Sequence, residues 1–135
     1  MKVKSQEVGQ IRFAKPRFVR EYESAFDIAA ELLDSGHGMI PVVSREGRVV
    51  GMVEEQDILR VLPGPRRLEE IKAKEIMSRV PVVVEEETPL AEANKILENL
   101  QLQRLPVVRD GILIGTITRH DLLRAQLGWG TGEWE

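Results

Sequence analysis

Apolar and polar positions in this chain follow one ordered set of patterns, best seen in its second half. Leu90, Ala93, Ile96, Leu97 and Leu100 recur at helical spacing and share one face. Thr88-Pro89 ahead of them predicts a helix start, with a capping hydroxyl followed by a proline whose fixed φ suits the first helical position. Val82-Val83-Val84 is a β-branched run that suits a buried strand. Leu105 to Val108 predicts a second strand, and Asp110-Gly111 falls where a two-residue hairpin turn requires tolerance of positive φ. Ile112 to Ile117 then returns antiparallel, and Asp121 to Gln126 closes with a helix. The predicted unit is β-α-β-β-α.

The first half carries the same unit. Ile40-Pro41-Val42-Val43 reappears 65 residues later as Leu105-Pro106-Val107-Val108, and Asp57-Ile58-Leu59-Arg60 matches Asp121-Leu122-Leu123-Arg124 at a spacing of 64. Ser24 takes the place of Thr88 as the cap, Phe26, Ala29, Leu32 and Leu33 form the helical stripe, and Glu46-Gly47 sits in the turn. A unit of this size buries only ~60% of its unfolded surface, so one copy alone is marginal and two copies packed sheet to sheet share a core. The expected organisation is repeat 1 over 1–65, with a linker near 63–70 around Pro63-Gly64-Pro65, repeat 2 over 66–127, and a tail over 128–135. The tail holds both tryptophans, Trp129 and Trp134, among glycines. It is expected to be mobile, with either ring a candidate anchor on the module or on a sister subunit.

Composition narrows the function. The 135 residues carry 19 Lys+Arg against 22 Asp+Glu, a balance that argues against coating nucleic acid or an anionic membrane. The absence of cysteine removes disulfides and thiolate chemistry, and two histidines, His37 and His120, are too few for most His-based zinc sites. No apolar stretch reaches the length of a membrane span and the first residues do not resemble a signal peptide, so a cytoplasmic location is expected. No nucleophile–base pair, phosphate-cradling glycine loop or paired-carboxylate site stands out, and catalysis is not expected.

The strings Ile76-Met77-Ser78, Thr88-Pro89-Leu90-x-x-Ala93, Leu105-Pro106-Val107-Val108 and Gly115-x-x-Thr118-x-x-Asp121, with their first-half counterparts, resemble a tandem pair of cystathionine-β-synthase (CBS) domains, a Bateman module, over about residues 8–127. The resemblance implies an α+β fold of two such repeats with pseudo-two-fold symmetry. It further implies a regulatory module that binds AMP, ADP, ATP, S-adenosylmethionine or a relative in a cleft between repeats, without a metal, and commonly a homodimer. In this family the Gly-x-x-Ser/Thr-x-x-Asp string often carries the ribose contact.

On that reading Asp121 accepts from the vicinal ribose hydroxyls and Thr118 adds a hydroxyl contact. Arg119 and His120 lie at a helix N-terminus, where phosphate is favoured, and Arg119 is the stronger candidate because it is always charged. The adenine is expected against Val80 to Val82 and the approach to Pro106, with Arg104 either a cleft contact or a surface residue. The same string also reads as a plain capping box, as does Ser24-Ala25-Phe26-Asp27, which matches no ligand position. The first copy keeps Asp57 but has Glu54 in the hydroxyl position and Glu55 after it, so the two sites are expected to be unequal. Lys15, Arg17 and Arg12 are candidates to offset those glutamates, or ordinary solvated cations. A structural module that binds partner proteins and no nucleotide is the alternative.

Overall fold

The computed structural model describes residues 6–11, 13–79 and 81–128. Its internal contacts divide the chain into two compact units, Arg17–Pro81 and Met1–Pro16 together with Val82–Glu135. Trp129 and Trp134, Arg12 and Val80 lie outside the described residues.

In the Arg17–Pro81 unit, β1 (Val19–Arg20) runs parallel to β2 (Met39–Val43), and β2 pairs antiparallel with β3 (Val49–Glu54). The parallel pairing requires a crossover, supplied by α1 (Ala25–Ser35), while α2 (Glu55–Val61) follows β3 directly. The Ser24 hydroxyl accepts from the Asp27 N–H at 3.0 Å and starts α1 as the sequence predicts, and Gly36 ends the helix at a φ of 73°. Ile28 and Leu32 of α1 bury against Val42, Val53 and Ile58.

The second unit repeats this order with β4 (Val84–Glu85), α4 (Leu90–Asn99), β5 (Arg104–Arg109), β6 (Ile112–Thr118) and α5 (Arg119–Gln126). Its core joins Ala93 and Leu97 of α4 to Leu105, Val107 and Ile117. Asp110 and Gly111 have φ values of 52° and 82°, the paired positive values that a tight hairpin turn needs. The expected α+β fold and the β-α-β-β-α order are thus present in each unit.

Two local features depart from the sequence reading. Thr88 does not cap α4: its hydroxyl accepts from the Glu85 N–H at 2.9 Å, closing the turn after β4, and Pro89 occupies the N-cap with Leu90 as the first helical residue. The extended ψ of 141° at Pro89 keeps it outside the helix. Only two of the residues after Val83 form β4, so the valine run is mostly an approach to the strand.

Packing also groups the chain differently from the repeat boundary at 65/66. Residues 66–81 stay with the first sheet: α3 (Ala73–Ile76) is anchored by Ala73 N–H to Glu23 C=O at 2.8 Å, and Met52 and Ser78 exchange hydrogen bonds of 3.1 and 2.8 Å. Residues 6–16 join the second sheet, through Val8 N–H to Thr88 C=O at 2.8 Å and Thr116 N–H to Ala14 C=O at 3.2 Å. Each added segment covers the outer edge of a three-stranded sheet, on β3 in one unit and β6 in the other, where unpaired backbone groups would otherwise remain.

The predicted linker is held in place as well. Arg66 grips Glu75 at 2.7 and 3.3 Å and donates to the Glu70 carbonyl at 2.8 Å. The Arg66 hydrogen bonds, together with the Lys72 N–H, hold the Glu75 carboxyl down at about 2, against an ordinary 4.5. A carboxylate lowered in the folded state stabilises it above the unfolded value and loses that contribution as pH falls toward the folded one. The melting temperature of the wild-type chain is therefore expected to drop as pH falls from about 4.5 to about 2, and Glu75→Gln should flatten that part of a pH series followed by circular dichroism.

Candidate functional site

The turn from β6 into α5 brings Thr118 and Asp121 together. Thr118 is the N-cap, and its hydroxyl accepts from the Asp121 N–H at 3.1 Å. Asp121 reciprocates: its Oδ2 accepts from the Thr118 N–H at 2.9 Å and from the Thr118 hydroxyl at 3.0 Å. The plain capping box is thus fully formed, and the carboxylate is turned back toward its own main chain. Asp121 is nevertheless more than a cap. It is 8% exposed, one of two buried polar residues among the described residues, whereas Asp27 of the similar Ser24 string is exposed. Its other oxygen, Oδ1, is ion-paired with Arg124 one turn along α5.

Arg104 opens β5 directly opposite Thr118 in the strand register. Burial lowers the Arg104 guanidinium below its ordinary value, and the Asp121 carboxylate partly offsets that loss. Arg104 therefore lies in the electrostatic reach of Asp121.

The helix N-terminus is less open to phosphate than the sequence suggests. The Arg119 N–H donates to the Gln103 carbonyl at 3.3 Å and the Asp121 N–H is held by Thr118, so two of the first three N–H groups are engaged. Arg119 also directs its Nε to the Leu102 carbonyl at 3.1 Å, which pins the side chain the sequence reading favoured for phosphate. His120 is exposed. Val82 packs against the core of this unit, so it is a wall rather than a free surface.

The first repeat builds a poorer copy. Asp57 Oδ2 accepts from the Glu54 N–H at 2.8 Å, and Asp57 Oδ1 pairs with Arg60 at 3.1 Å. Glu54 has no hydroxyl to share, and both Glu54 and Glu55 are exposed. Of the cations expected to offset them, Arg17 and Lys15 lie among the described residues. Arg17 pairs with Glu31 of α1 at 2.8 Å, and Lys15 belongs to the unit that contains Asp121. The physical reason for the latter is the edge pairing of Ala14 with Thr116, which draws residues 6–16 onto β6.

Sequence reasoning passed over Arg124 as a partner of Asp121, although its i,i+3 spacing was a usable signal. Phe13 and Met77 lie over Gly115 and Gly51, and a glycine inside a strand signals such a close approach. Among the described residues no cluster of three or more His, Cys, Asp or Glu side chains could hold a metal ion, and no helix is long and apolar enough to cross a membrane.

Comparison with known proteins bears on this geometry. The sequence matches the CBS domain family model over residues 8–64 and 73–128. An uncharacterized protein of Methanopyrus kandleri is 32% identical over 106 residues, covering 77% of this chain and 54% of its own length. A CBS domain-containing protein of Dictyostelium discoideum is 30% identical over 122 residues, covering 82% and 84%. The first three curated relatives that the chain matches are longer proteins, of which it spans 54%, 14% and 26%. Among solved structures, CBSX2 in complex with AMP superposes with a TM-score of 0.77 at 28% identity, covering 91% of this chain and 97% of the other. CBSX2 from Arabidopsis thaliana gives a TM-score of 0.78 at 26% identity, with 93% and 96% covered. With two family matches in tandem that together take in most of its length, the chain belongs to the CBS domain family.

Proposed function

We propose that the chain is a regulatory module that binds an adenosine-containing ligand of the AMP, ADP, ATP or S-adenosylmethionine class at Asp121 and reports its binding state to a partner protein. The ligand is an effector and is released unchanged, and the setting is the cytoplasm. The observation that carries this reading is the buried Asp121 carboxylate, aligned by Thr118, which lies opposite Arg104 across β5 and β6, in a chain similar to a protein whose structure contains AMP. Asp57 lacks the hydroxyl partner and follows two exposed glutamates at the start of α2, so the first repeat is the weaker site for a phosphorylated ligand. Signalling requires that the ligand bind one conformation more tightly than another, since equal affinity shifts no equilibrium.

Thermal denaturation against adenosine, AMP, ADP, ATP and S-adenosylmethionine tests the proposal. A ligand present at 100 times its Kd stabilises the folded chain by about 2.7 kcal/mol. If no member of the panel raises the melting temperature, the sensor reading fails.

A dimerising role has its own support. Leu33, Leu59 and Leu62 are 78%, 54% and 51% exposed and line an apolar groove between α1 and α2. Three large aliphatic side chains left in water around one groove suit a contact with a second copy. Leu59→Glu is expected to convert a dimer to monomer in light scattering while leaving the circular dichroism spectrum unchanged.

A further inference from the structure

The ligand reading above leaves one neighbour of Asp121 without a role. A carboxylate offers about four acceptor positions. The Thr118 N–H and hydroxyl take two on Oδ2, and Arg124 takes one on Oδ1. One charged position remains, on the oxygen that Arg124 already holds. The Thr118 hydroxyl keeps a further lone pair, but a neutral oxygen is a weaker acceptor than a carboxylate.

We infer that Arg124 competes with the ligand for Asp121 and thereby sets how strongly the site distinguishes ribose from deoxyribose. The inference rests on ligand binding at Asp121 but is separate from it. A vicinal diol donates two hydrogen bonds, and with Arg124 in place only one of them reaches the charged oxygen. The second hydroxyl must displace the guanidinium or settle for the neutral Thr118 oxygen. The Arg124 side chain is 35% exposed while that of Asp121 is 9% exposed, so the guanidinium can swing into water and the carboxylate cannot follow. The pair therefore acts as an internal cover over the sugar-binding oxygen. It keeps the buried charge compensated when the site is empty, and it lowers affinity when ligand arrives. Arg60 makes the equivalent contact with Asp57 in the first repeat, but there the Arg60 side chain is 65% exposed and the site lacks the threonine.

Calorimetric titration with adenosine and with 2′-deoxyadenosine tests this, because neither ligand carries phosphate to interact with the guanidinium. Arg124→Met is expected to tighten adenosine binding about ten-fold, the worth of one freed hydrogen bond to a charged acceptor. The preference for adenosine over 2′-deoxyadenosine should widen by a similar factor, whereas Arg60→Met should change neither value. Arg124→Lys restores a cation and should return both values toward wild type. A merely structural role for Arg124 would lower the melting temperature of the free protein without widening the sugar preference. If Arg124→Met binds adenosine no more tightly than wild type does, and with the same preference, the competition is refuted while ligand binding at Asp121 stands. If wild type binds adenosine and Asp121→Ala binds it equally well, the ligand site itself is misplaced and both readings fall.

Discussion

Asp121→Ala is expected to abolish the ligand-induced rise in melting temperature and to lower the stability of the free protein as well. Two separate losses combine. The variant removes the acceptor for the Thr118 N–H and hydroxyl, undoing the reciprocal cap that starts α5. Loss of a cap costs about 1–2 kcal/mol. Arg124 loses its partner too, but its partial exposure lets it turn to solvent, which holds the total near the lower end of what a broken buried pair costs. The ligand-dependent part, about 2.7 kcal/mol at 100 times the Kd, disappears entirely. Asp57→Ala provides the comparison. It removes the acceptor for the Glu54 N–H and the partner of Arg60, so it costs a similar capping contribution, yet should leave most of the ligand effect intact. Differential scanning calorimetry with and without AMP measures both terms in each variant. Retention of the full AMP effect in Asp121→Ala would remove Asp121 from the site.

Gly51→Ala should destabilise the Arg17–Pro81 unit by about 3 kcal/mol, at the upper end of ordinary overpacking. Gly51 is buried in β3, and a Cβ there would lie 2.4 Å from Met77 Sδ and 2.8 Å from the Ser78 carbonyl oxygen. The methionine can rearrange, but the Ser78 carbonyl is hydrogen-bonded to the Met52 N–H and cannot retreat without losing the edge pairing. Gly115→Ala meets the equivalent obstacle differently. Its Cβ would come within 2.1 Å of the Phe13 ring but remain 3.2 Å from the Ala14 carbonyl, so the ring must leave its place while the backbone shifts less. Urea unfolding curves report both changes. Limited proteolysis near Phe13 should accelerate in Gly115→Ala, because that variant loosens residues 6–16 from β6. An unchanged unfolding midpoint for Gly51→Ala would show that residues 77–78 are not held against β3 in solution.

The candidate site was legible in part because its chemistry is local. Thr118 and Asp121 are three residues apart at a helix start, and a hydroxyl and a carboxylate at that spacing must meet. Arg104 was a weaker candidate because its nearness to Asp121 depends on the pairing of β5 with β6, which places it opposite Thr118. The surroundings of Arg119 were hidden for a related reason. Its charge is plain in the sequence, but the carbonyls of Leu102 and Gln103 that receive its Nε and N–H belong to the loop before β5. Lys15 shows the same limit, since its position in the chain puts it in the first repeat and its packing groups it with the second.

Periodicity, cap residues and turn chemistry determined by themselves that two copies of β-α-β-β-α would form. Each of those signals acts over a few residues, and the alternation of apolar faces leaves little choice of element. What only the tertiary structure decided is which segments complete each sheet and which charges find each other. The outer edges of β3 and β6 each accept a segment distant in sequence, Ser78 on Met52 and Ala14 on Thr116, through backbone hydrogen bonds that any residue could make. Backbone pairing leaves no side-chain signature apart from the glycines that permit the close approach. The contact between Asp121 and Arg124 is local to one helical turn, but the withdrawal of that carboxylate from water follows only once α5 is packed.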